Sequence, residues 1–123
     1  MKIKSMKLLL PLALILSLNS LSQEKYVCSG DLSPFGGTGF ETKTYERTGD
    51  YFTKINSMGD KSYFYILEDN DTFLTLINST SNYPSVFVTF IDKKNKTFVE
   101  NYFSDMTSST PSIPLKGSCI RVD

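Results

Sequence analysis

The sequence predicts an all-β domain: a small antiparallel meander of about eight strands, closed or partly closed as a barrel, with a β-sandwich as the alternative. Three observations carry this expectation. From Lys25 onward, short runs rich in β-branched and aromatic residues recur at the spacing of about 8–12 residues expected of sandwiches and barrels, each bounded by Gly, Asn, Asp, Ser or Pro. An apolar period of 3.6 residues never persists for three turns in this region, so helix should be scarce. Cys28 lies near its start and Cys119 near its end, and closing the meander would bring the first and last strands together.

The strands are expected in order as Lys25 to Ser29, Phe40 to Arg47, Tyr51 to Ile55, Ser62 to Glu68, Thr72 to Asn78, Ser85 to Asp92, Thr97 to Phe103 and Lys116 to Val122. A loop with Pro34, Gly36, Gly37 and Gly39 separates the first two. Gly49-Asp50, the stretch Asn56 to Asp60, Asp69-Asn70-Asp71, Ser79 to Pro84 and Lys93-Lys94-Asn95-Lys96 supply the following turns. A polar connection from Ser104 to Pro114 precedes the last strand. In Ser62 to Glu68, the alternating faces Tyr63, Tyr65, Leu67 and Phe64, Ile66 are both apolar, so periodicity leaves the core face open: the strand is covered on both sides or exposes tyrosines.

Ahead of this domain stands an expected signal peptide, residues 1–22. Lys2, Lys4 and Lys7 form a basic region, Leu8 to Leu18 an apolar one, and Ser20 and Ser22 supply small residues for cleavage before Gln23. The apolar run falls well short of the ~20 residues a spanning helix needs. No Cys directly follows it to take a lipid. Residues 23–123 then form a single β-rich exported domain, periplasmic or secreted, with no stable membrane insertion. Loss of the three leader lysines moves the formal charge from zero to −3. A mildly acidic domain without a basic stripe is a poor ligand for nucleic acid, since that affinity rests on Lys and Arg displacing counterions.

Export places Cys28 and Cys119 in an oxidising space, where a disulfide between them is the expected state. A redox pair would lie closer in sequence, as in Cys-x-x-Cys. Two cysteines without His cannot complete a structural zinc site. The absence of His also removes the commonest general base, which excludes His-dependent triads. No catalytic residue, metal site or cofactor is assigned. An enzyme would need a pocket holding paired carboxylates.

Other motifs read as turn chemistry. Gly36-Gly37-Thr38-Gly39 lacks the Gly-Lys-Ser/Thr and helix of a phosphate loop. Glu68, Asp69 and Asp71 gather oxygen ligands, but counting from Asp69 the sixth and twelfth positions hold Leu74 and Thr80 rather than the Gly and Glu of a calcium loop. Lys93, Lys94 and Lys96 read as a solvated turn. Asn70, Asn78 and Asn95 open Asn-x-Ser/Thr triplets in or beside expected turns, glycosylation acceptors only in a eukaryotic source, whereas the short lysine-led leader fits a bacterial one.

Tyr26-Val27-Cys28 near the start, Cys119 near the end and the overall size resemble the bacterial membrane-bound and periplasmic inhibitors of C-type lysozyme. The resemblance implies an eight-stranded barrel. The family's Ser-Gly and tyrosine-bearing inhibitory loop has no counterpart here, so it implies neither activity nor site residues for this chain.

The functional expectation is a non-enzymatic binding or inhibitor-like module of the bacterial envelope, its partner another envelope or extracellular protein. Tyr26, Tyr51, Tyr63, Tyr65, Tyr83 and Tyr102 are the feature that could mark a binding surface, because tyrosine joins apolar area to a polar tip at low entropic cost. The alternative is a carrier holding a small apolar ligand inside the barrel.

Overall fold

Eight antiparallel strands close into a barrel in strict chain order. They are β1 (Lys25–Asp31), β2 (Phe40–Thr48), β3 (Tyr51–Ile55), β4 (Lys61–Asp69), β5 (Phe73–Thr80), β6 (Ser85–Asp92), β7 (Thr97–Ser104) and β8 (Leu115–Arg121), and a 3-10 turn covers Ser33–Phe35. The structure, a computed structural model, describes residues 24–80, 85–104 and 113–123. The expected leader, Tyr83, the end of the β5–β6 turn and most of the connection before β8 lie outside the described residues.

The barrel, rather than the sandwich, is the observed closure. β1 pairs with β2 on one side and with β8 on the other, and in the second ladder Cys28 stands directly opposite Cys119. The two are disulfide-bonded across 91 residues of chain, and both are buried. In a chain-entropy account a loop of that size stabilises the fold by roughly 4–5 kcal/mol. Two residues along the same ladder Gly30 faces Gly117. A Cβ on Gly117 would stand 1.7 Å from the Ser29 carbonyl oxygen, so only glycine lets the two seam strands approach this closely.

Local chemistry sets the turns. Gly49 adopts φ +61°, which the two-residue loop between the paired Thr48 and Tyr51 requires. Asn56, Asn70 and Asp92 each open a hairpin turn by accepting backbone N–H groups two to four residues ahead on a side-chain oxygen. Gly36, at φ +80°, ends the 3-10 turn with its N–H donated to the Ser33 carbonyl, so the glycine-rich stretch is turn structure, as its sequence suggests.

Inward and outward residues alternate around the sheet. Tyr26, Tyr45, Phe52, Phe64, Leu74, Leu76, Ile91 and Phe98 fill the interior, none more than 2% exposed. In β4 the inward face is Phe64 and Ile66, and Tyr63, Tyr65 and Leu67 point outward. A register shift between Ile66 and Glu68 leaves Leu67 bulged out of the ladder to β5.

Candidate functional site

Strand alternation carries ionisable groups into this interior as well. In β2 the side of the strand that faces inward holds Lys43 and Tyr45, in β3 it holds Phe52 and Lys54, and in β7 Phe98 and Glu100. Lys43, Lys54 and Glu100 are all buried. Glu100 is the hub. Its carboxylate pairs with the Lys43 ammonium, accepts the Tyr45 hydroxyl at 2.6 Å and the Thr89 hydroxyl at 3.2 Å, and lies 3.3 Å from Lys54 Nζ. Lys54 Nζ also sits over the Phe64 and Phe87 rings, 5.3 and 4.9 Å from their centroids.

Burial works against ionisation of Glu100, yet the neighbouring Lys54 and Lys43 charges and the Tyr45 hydrogen bond outweigh it and hold the carboxyl below its ordinary range. Burial pushes the Lys54 ammonium down, against the pull of Glu100. Burial, reinforced by the Glu100 charge, pushes the Tyr45 hydroxyl well up. The cluster is thus a buried carboxylate shared between two lysines, with the Tyr45 and Thr89 hydroxyls donating to it.

Above the cluster the barrel opens to a cavity of about 210 Å3 whose walls include Leu32, Phe35, Glu41, Lys43, Glu100 and Tyr102. Glu41 and Glu100 therefore share a cavity, the arrangement an acid–base enzyme would need. Of the two, Glu100 is clamped as described, and Lys43, its partner, lines the same cavity.

Ion pairs plug the other end. Arg47 Nη1 reaches Glu24 at 3.1 Å and Asp69 at 2.9 Å, and Lys93 Nζ reaches Asp69 at 2.6 Å and the Asn70 carbonyl at 2.6 Å. Lys93, expected in a solvated turn, is half-buried here, and Asp69 serves as its partner rather than as a cation ligand. Among the described residues no group of three or more acidic or Cys side chains is placed to hold a metal.

The tyrosines divide. Tyr26 is buried and donates to Glu24, and Tyr102 packs on Phe87 at the mouth. Tyr51, Tyr63 and Tyr65 gather on the outside of β3 and β4, where Tyr51 and Tyr63 meet edge-on at 5.7 Å and the three bound a cleft of about 260 Å3. The register continues this face across the sheet: Tyr51, Tyr65, Ile77 and Val88 form one row, and Val86 stands beside Phe103 and Phe90 beside Val99. Tyr63, Tyr65, Leu67, Phe90 and Phe103 are 56, 66, 60, 44 and 56% exposed. The opposite wall, outward from β1, β2 and β8, carries Ser29, Thr42, Thr44, Glu46, Lys116 and Ser118 among its residues.

Of the glycosylation triplets, Asn70 and Asn95 occupy turns, with their side-chain amides donated to Glu68 and Asp92. Asn78 instead lies within β5, half-buried, its amide donated to the Tyr63 carbonyl at 2.7 Å.

Comparison with protein-family models, with characterised proteins and with solved structures returned no match.

The interior cluster was not singled out from sequence. Its signal lies in the face pattern: Lys43 and Glu100 stand mid-strand and Lys54 one residue from the end of β3, each beside aromatic residues of the same face, Tyr45, Phe52, Phe98 and Tyr102. The outer wall was foreshadowed by β4, whose two apolar faces cannot both enter one barrel.

Proposed function

We propose that this chain is an exported, non-enzymatic binding module whose working surface is the outer wall of β3 to β7, and that this wall takes a protein surface. The carrying observation is the gathering of Tyr51, Tyr63 and Tyr65 into one exposed cleft on a rigid, disulfide-closed body. Aromatic side chains on an inflexible scaffold lose little entropy on binding, and tyrosine is enriched at the centres of protein interfaces. A disulfide and the lack of any long apolar helix among the described residues are compatible with export to a periplasmic or extracellular space.

The carrier alternative finds little support. An eight-stranded barrel either fills with side chains or holds one small ligand, and the side chains from Tyr26 to Phe98 occupy this one. Membrane insertion of the barrel would require an apolar band around the whole circumference. Ser29, Thr42, Thr44 and Ser118 interrupt it.

The test is capture from the exported fraction of the producing organism, followed by identification of the captured protein and reconstitution with purified components. The combined Tyr63→Ala and Tyr65→Ala variant is expected to lose at least tenfold in affinity. Undiminished binding by that variant, or saturable uptake of a fluorescent fatty acid into the barrel, overturns the proposal.

A further inference from the structure

We infer that the protein surface taken by the β3–β5 face of this wall is the same face on a second copy of this chain, packed about a two-fold axis close to Tyr65. This rests on the reading of the wall as a protein-binding surface. Three features select a second copy as the occupant.

The first is area. At ~150–250 Å2 per aromatic side chain, the exposed fractions of Tyr63 and Tyr65 present roughly 250 Å2 on the outer face of β4. Exposed Leu67, with half-buried Tyr51 and Ile77 on the two neighbouring strands, carries this patch into the ~300–600 Å2 of the largest patch on a typical monomer.

The second is shape. A two-fold interface must be complementary to itself, so that whatever protrudes on one side of the axis meets a recess on the other. Along the outer face of β4 the recess is the Tyr51–Tyr63–Tyr65 cleft and the protrusion is Leu67, pushed out by the bulge, with Tyr65 between them. Rotation about Tyr65 sets each Leu67 over the other copy's cleft.

The third is charge. The outer face of β4 begins at Lys61 and ends at Glu68, both exposed, and the described positions between them on that face carry no charge. The same rotation brings Lys61 of each copy to Glu68 of the other, leaving the centre apolar and the rim paired. The two barrel mouths then point in opposite directions, both open.

Sedimentation equilibrium of the oxidised protein purified from exporting cells tests the inference. The wild-type protein is expected to dimerise in the micromolar range. Lys61→Glu and Glu68→Lys should each weaken dimerisation at least tenfold, and an equimolar mixture of the two variants should restore it, because each then offers the charge that the other lacks. Leu67→Asp should abolish dimerisation, with no rescue by either charge variant. A wild-type monomer throughout that range, or a dimer indifferent to all three substitutions, overturns the inference. A wild-type monomer that still binds a different protein through Tyr63 and Tyr65 removes self-association alone, whereas one whose wall binds nothing removes the binding-module reading with it.

Discussion

The Tyr45 hydroxyl donates to Glu100 at 2.6 Å inside the barrel, and this bond anchors a cluster in which one buried carboxylate serves two lysines. Removing one partner of a buried ion pair leaves the other uncompensated, at a cost of about 3–5 kcal/mol. Glu100→Leu is therefore expected to destabilise the protein by that amount, read from urea denaturation. Replacing Lys43 and Lys54 by Met together with Glu100→Leu should recover most of the loss, since an apolar cluster of similar volume is often as stable as the ionic one. A triple variant no better than the single one would contradict this.

Acid should weaken the fold through the same cluster. Burial opposes ionisation of both Glu100 and Asp69, but Lys54 and Lys43 in the first case, and Lys93 and Arg47 in the second, hold the folded carboxyls below their ordinary range. A depressed folded pKa contributes stability that is fully present above the unfolded value, about 4 for these carboxyls, and is lost as pH falls through the folded value. Denaturation midpoints should be flat from neutrality to about pH 5 and fall below about pH 4, with a shallower fall in Glu100→Gln. An equal slope in that variant would remove Glu100 from the explanation.

The seam disulfide makes a separate prediction. Converting Cys28 and Cys119 together to Ala should cost up to about 4–5 kcal/mol, the entropy of the loop that the bond closes. A change below about 1 kcal/mol would mean that strand pairing alone confines the termini in the unfolded as well as the folded chain.

Two glycines should respond differently to the same substitution. Gly117→Ala drives a Cβ into the Ser29 carbonyl and must separate β1 from β8, with an expected loss above about 3 kcal/mol. Gly36→Ala meets open space and pays only for a left-handed backbone, about 1 kcal/mol. Similar losses at both positions would contradict the close approach at the seam.

Much of this architecture is legible in the sequence, and the parts that are not have physical reasons. The strands and turns follow from period-two alternation and from Asn, Asp and Gly at defined offsets, and the end-to-end cysteines point to closure. Boundaries moved slightly: β1 runs on to Asp31, and β5 reaches Thr80. The inward face of β2 is harder to see, because Lys43 looks like a solvent residue until Glu100, 57 positions later, supplies its partner. Alternation marks these residues as sharing the aromatic face of their strands, but only closure of the barrel brings the opposite charges together. The tyrosines posed the converse difficulty, since alternation places Tyr63 and Tyr65 on one face of β4 but only closure of the sheet decides that this face is the outer one.

The claim that the outer β3–β7 wall is the working surface is tested most directly by site-specific photo-cross-linking in exporting cells. A photoreactive side chain in place of Tyr65 should yield a discrete cross-linked protein product, and the same group in place of Ser118 on the opposite wall should yield none. Cross-links from the Ser118 position with none from Tyr65 would contradict it.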